Sequence, residues 1–98
     1  MTPIDFHPEA MEDLLLAYNW YLERSEIAAR GFEIEIERTF LNIRTSPQSL
    51  PKYSDGLYKC VLKRFPFTIF YRIKKGAVFV IAIAHQKRQP GFWQKRMD

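Results

Sequence analysis

The hydrophobic period of this chain changes once, and that switch limits its architecture more than any other feature. From Ala10 to Ile43 apolar residues recur at helical spacing, whereas from Tyr58 to Ile73 they alternate with a period of two. Helices first and strands after form separate layers, which is an α+β arrangement.

The first helix is predicted to open at His7-Pro8-Glu9, because Pro8 suits the first helical position and Glu9 complements the positive end of the helix dipole. Ala10, Leu14, Ala17, Tyr18, Tyr21 and Leu22 then share one apolar face. Met11 and Leu15 widen its flank, and Glu12, Asp13, Asn19 and Glu23 point outward. Ser25, followed by Glu26, offers a cap for a second helix reaching about Arg44. Its stretch Phe32-Glu33-Ile34-Glu35-Ile36-Glu37 alternates as a strand would. Phe32, Ile36, Phe40 and Ile43 nevertheless keep helical spacing without a turn signal, so helix is preferred. So short a connection implies an antiparallel hairpin. Thr45-Ser46-Pro47 ends it, since the residue before proline avoids helical angles.

Residues 46–56, with Pro47, Pro51 and Asp55-Gly56, read as one extended loop. Three strands follow: Tyr58 to Lys63, Phe67 to Ile73 after a break at Phe65-Pro66, and Ala77 to His85 after a Lys74-Lys75-Gly76 turn. The last is apolar on both faces, as a central strand is. Thr2 to Phe6 is expected to add a short edge strand. The whole is then a helical hairpin packed on one face of a twisted antiparallel sheet of three to four strands. A length of 98 residues, 47% of them hydrophobic, fits one domain over 1–98.

The longest apolar run, Ala77 to Ala84, is eight residues, far short of the roughly 20 that cross a bilayer, so no membrane association is expected. The N-terminus lacks the basic start and apolar core of an export signal, which makes the cytoplasm the expected location. Cys60, the one cysteine, makes no internal disulfide and reads as a small core residue on a strand. Gly31, Gly56, Gly76 and Gly91 are too scattered for a phosphate-binding loop, and His7, Cys60 and His85 fall in three different elements. No nucleotide cofactor and no metal are expected.

Charge is distributed unevenly. Residues 1–50 hold nine acids and four bases (net −5), and residues 51–98 hold two acids and eleven bases (net +9). The basic half suits a polyanionic partner, either nucleic acid or an acidic protein segment. Its basic and aromatic groups gather at strand ends and in the tail: Lys63, Arg64, Arg72, His85, Lys87, Arg88, Trp93, Lys95 and Arg96. Arginines with His85 as general acid or base are what metal-free RNA cleavage by the 2′-hydroxyl requires. The same groups are equally the anchors of a protein-binding surface. In the plainer reading His85 closes the last strand and Trp93 folds back over the sheet.

Four segments, in this order, resemble the RelE/ParE superfamily, the toxin halves of bacterial type II toxin-antitoxin modules. They are Phe6 to Leu14 with Ala10 and Asp13; Ala17-Tyr18-Asn19-Trp20-Tyr21; Arg64-Phe65-Pro66-Phe67-Thr68-Ile69-Phe70-Tyr71-Arg72; and Ala82 to Trp93 with His85, Arg88 and Pro90. The resemblance implies a cytoplasmic toxin neutralised by a cognate antitoxin, with operator DNA contacted through the antitoxin complex. One branch of the superfamily cleaves messenger RNA on the ribosome, and the other, ParE-like, poisons DNA gyrase. The ribonuclease branch commonly has an arginine about where this chain has Thr68, so the strand from Phe65 to Arg72 is closer to the ParE-like pattern. The resemblance therefore points to gyrase inhibition by protein binding, with Arg64, Arg72, Arg88 and Trp93 as target contacts and no catalytic residues. Leu15, Trp20, Leu22, Ile34 and Leu41 are the expected antitoxin contacts. The alternative is a RelE-like ribosome-dependent endoribonuclease, in which His85, Arg88 and Arg72 would act on RNA.

Overall fold

Pro8 opens α1 (Pro8–Leu22) in the computed structural model, which describes residues 1–54 and 56–97. His7 stands before it in extended conformation, and its Nδ1 accepts the Glu9 N–H at 3.0 Å, satisfying one of the orphan donors of the first turn. Ser25 does the same for α2 (Glu26–Thr45), its Oγ accepting the Ala28 N–H at 3.1 Å. The alternating stretch from Phe32 to Glu37 is helical. Phe32, Ile36 and Ile43 bury the face that their spacing marks out.

Five strands follow or precede the helices: β1 (Ile4–Phe6), β2 (Lys52–Ser54), β3 (Leu57–Val61), β4 (Phe67–Lys74) and β5 (Ala77–His85), in the sheet order β1-β5-β4-β3-β2. The expected antiparallel meander is β3-β4-β5. Lys75 and Gly76 join β4 to β5 with φ of 49° and 76°, positive at both positions as a two-residue hairpin matched to strand twist requires. Two features depart from the expected sheet. The edge strand β1 runs parallel to β5, Ile4 opposite Val78, so the sheet is mixed. A further strand, β2, forms inside the segment read as loop, pairing Lys52 with Tyr58; Asp55 of that loop lies outside the described residues.

β5 is apolar on both faces because each packs into a core, and a one-residue irregularity divides its residues between them. Phe70 pairs with Ala82 and Tyr71 with Val80, so Ile81 is an unpaired extra residue, a β-bulge. Val78, Val80 and Ile83 pack under the helices with Phe32, Ile36, Ile69 and Tyr71. Ile81, Ala82 and Ala84 pack on the other face with Leu57, Phe70 and Trp93. That second face is covered by the C-terminal 3-10 turn Phe92–Met97, where Trp93 stacks on Phe70 with centroids 4.1 Å apart.

Candidate functional site

Leu16 and Trp20 lie four residues apart on the flank of α1 and are exposed. Beneath them a groove of about 490 Å³ runs between α1 and the adjoining ends of β4 and β5, floored by Ala17, Tyr21, Pro66, Phe67 and Ile83. His85 and Arg88 form its basic end and Asp13 its acidic one. The His85 ring meets Phe67 edge-on at 5.2 Å, and its Nδ1 accepts the Lys87 N–H at 3.0 Å, which fixes the imidazole against the strand end. The Arg24 guanidinium lies 3.7 Å over the Trp20 ring and donates to the Trp20 carbonyl, holding that indole on the surface.

Two carboxylates seal the sheet where strand partners run out. β1 ends at Phe6, leaving the outer edge of β5 open beyond Val80. There the Asp13 carboxylate accepts the Ile83 N–H at 3.1 Å, and Arg96 donates to the Ile81 carbonyl at 3.1 Å and to Asp13 at 2.7 Å. Both side chains are about nine-tenths buried, so this ion pair takes the place of a missing strand and ties the tail to α1. Asp13 is therefore turned inward, not outward as the helical pattern suggested. On the opposite side of the sheet Glu35 accepts the Lys63 and Arg64 N–H groups at 2.6 and 3.0 Å and pairs with the Arg64 guanidinium at 3.3 Å. Burial by itself would raise the Glu35 carboxyl, but the Arg64 and Lys63 hydrogen bonds and the Arg64 charge together hold it below its ordinary value. A polar hollow of about 300 Å³ adjoins it, bordered by Arg38, Asn42, Lys63 and the half-buried Cys60, whose thiol is pushed up by burial.

The residues singled out from the sequence are placed as follows. Trp20 and Arg88 border the α1 groove together with His85. Leu15 and Leu22 are exposed too, but Leu15 lies roughly 140° round α1 from Trp20. Leu22 was also read as a core position, and it is 42% exposed at the last residue of α1. Leu41 is exposed and Ile34 half-buried, both on α2. Arg64 is engaged with Glu35 at the far edge. Trp93, read as a target contact, is 5% exposed and serves instead as packing on Phe70, because the tail folds back over the sheet. Phe67 stands opposite His85 and Arg72 opposite Phe79, so five residues of strand, roughly 16 Å, separate Arg72 from His85. Leu16 and the sealing roles of Asp13 and Glu35 were not singled out. For Leu16 the signal was present in its spacing from Trp20.

Among the described residues no helix is long and apolar enough to cross a membrane, and no three or more His, Cys, Asp and Glu side chains are grouped to hold a metal ion. Fold and site together define a small α+β protein with an apolar groove beside α1 and a basic rim to it. The chain belongs to the family of ParE toxins of type II toxin-antitoxin systems, whose model matches residues 4–90. Its fold is that of the chromosomal ParDE toxin-antitoxin system from P. aeruginosa, with a TM-score of 0.74 at 21% identity over 87% of this chain and 96% of that one. It is also that of the isolated E. coli RelE toxin, with a TM-score of 0.62 at 16% identity over the whole of both chains. No curated protein matches the chain by sequence.

Proposed function

We propose that this toxin acts in the cytoplasm by binding DNA gyrase and is neutralised by a cognate antitoxin seated in the α1 groove. The observation that supports binding over RNA cleavage is the separation of the groups that cleavage would need. His85 and Arg88 sit at one end of β5, Arg72 lies roughly 16 Å down the sheet, and Arg64 is held by Glu35. A gyrase poison needs no reacting group. It needs a surface that binds one state of the enzyme–DNA complex more tightly than the others, and so slows resealing.

The groove fits the other half of this reading. Leu16, Trp20, Tyr21 and Phe67 offer apolar seats for an amphipathic segment, and His85 and Arg88 at the rim suit acidic residues on it. Leu15, Leu22, Ile34 and Leu41 extend the contact over the two helices, and operator DNA is contacted through the antitoxin. The test is direct: purified toxin at micromolar excess should inhibit supercoiling and raise the level of cleaved gyrase–DNA complexes. Unchanged levels of both overturn the gyrase assignment. New 5′ ends inside translated messages, lost in a His85→Ala/Arg88→Ala variant, would replace it with ribonuclease action.

A further inference from the structure

We propose that the sheet face opposite the helices grips a single strand of DNA, one unpaired base seated against Tyr53 and the neighbouring phosphates held by Lys59, Arg72 and Arg88. This rests on the gyrase reading only for the source of the strand, the DNA of the enzyme complex.

The face is an aromatic platform with a cationic border. Phe70 and Trp93 are stacked, and Tyr53 stands edge-on to both at 5.4 and 5.6 Å while remaining 43% exposed. Beside Tyr53 is a hollow of about 170 Å³, rimmed by Thr68, Gln86 and Arg88. Sites for larger organic ligands run from roughly 300 to 1,000 Å³, so this one suits a single flat ring with polar edges. The Lys59 Nζ lies 5.6 Å from the Tyr53 ring centre, and the Arg88 guanidinium lies 4.0 Å over Phe92. Arg72, two residues beyond Phe70, is on the same face by strand alternation, opposite Phe79.

Charge selects the occupant. Residues 51–98 hold eleven Lys and Arg against two acids, Asp55 and Asp98. Such a surface draws any polyanion, but an exposed ring beside a base-sized polar hollow favours a nucleobase over an acidic peptide. Stacking on aromatic rings along a positive track is how single strands are held without sequence readout. A duplex hides its base faces, which leaves the unpaired strand as the fit.

The test is fluorescence anisotropy of a labelled oligothymidylate of about ten nucleotides titrated with the toxin alone. Binding should strengthen roughly ten- to twentyfold between 200 and 50 mM salt, as expected for about three phosphate contacts. Tyr53→Ala should weaken it roughly five- to a hundredfold, and Tyr53→Phe should retain it. Absence of binding at 50 mM salt overturns the proposal. So does a Tyr53→Ala variant that binds like the parent, which would reduce the effect to charge alone, or tighter binding of the matching RNA or duplex. Supercoiling assays on the same preparations keep the two readings apart. A toxin that inhibits gyrase without holding the strand loses only this inference, and one that holds the strand while sparing gyrase retains this face and loses its assigned target.

Discussion

The two faces of the sheet are covered to different depths. One lies under two helices of 15 and 20 residues, with Phe32 wedged among Tyr21, Phe65 and Phe67 at 5.2 to 5.5 Å. The other lies under a six-residue 3-10 turn whose one buried side chain is Trp93. The covering layers also differ in charge, since nine of the eleven acids fall in the first fifty residues. The deep side supplies stability and an apolar groove. The shallow side leaves aromatic rings and cations within reach of a partner.

The contrast breaks most readily at its buried aromatics. Phe32→Ala should cost about 4 kcal/mol, and Trp93→Ala about 3 kcal/mol, because a thin cover relaxes into the space more readily. Urea unfolding of the pair measures the difference, and equal losses would mean that the shallow face is as firmly built as the deep one. Next comes the clasp that joins the faces. Asp13→Asn strands a buried guanidinium and should cost about 3 kcal/mol, with faster amide exchange at Ile81, Ile83 and the tail.

The Glu35 seal should show itself in pH. Its carboxyl is held low in the folded chain, so its contribution is present above the unfolded value of about 4.3 and fades as pH falls through the lower folded one. Thermal unfolding between pH 7 and pH 3 should therefore lose less in Glu35→Gln than in the parent. The smallest effect on stability belongs to Trp20→Ala. The indole is half exposed, so unfolding should shift by less than about 0.5 kcal/mol, while antitoxin affinity measured by calorimetry drops by about 2 kcal/mol or more.

What the sequence reveals here is what repeats locally. The helices were legible because Ala10, Ala17 and Tyr21, and Phe32, Ile36 and Ile43, recur at a fixed interval, and the meander because Ile69 and Tyr71 alternate with Thr68 and Phe70. β2 was hidden because three exposed residues after a proline carry no period. The parallel pairing of β1 with β5 joins segments more than seventy residues apart, and the Asp13–Arg96 clasp spans 83. Neither leaves a mark in spacing. Of the site, Trp20, His85 and Arg88 were legible as types without geometry. Trp93 was misread as a contact because an aromatic near cations looks the same in sequence whether it faces solvent or Phe70.

The unpaired Ile81 acts as a half-turn in the screw of the last strand. Were Ile81 an ordinary paired residue, strict alternation from Val80 would place Ala84 on the helix side and turn His85 toward Trp93. The direction in which His85 aims is thus inherited from one inserted residue four positions upstream. Forcing Ile81 into regular pairing would trade the groove's imidazole for a methyl group, whereas deleting Ile81 would remove the bulge and leave His85 opposite Phe67.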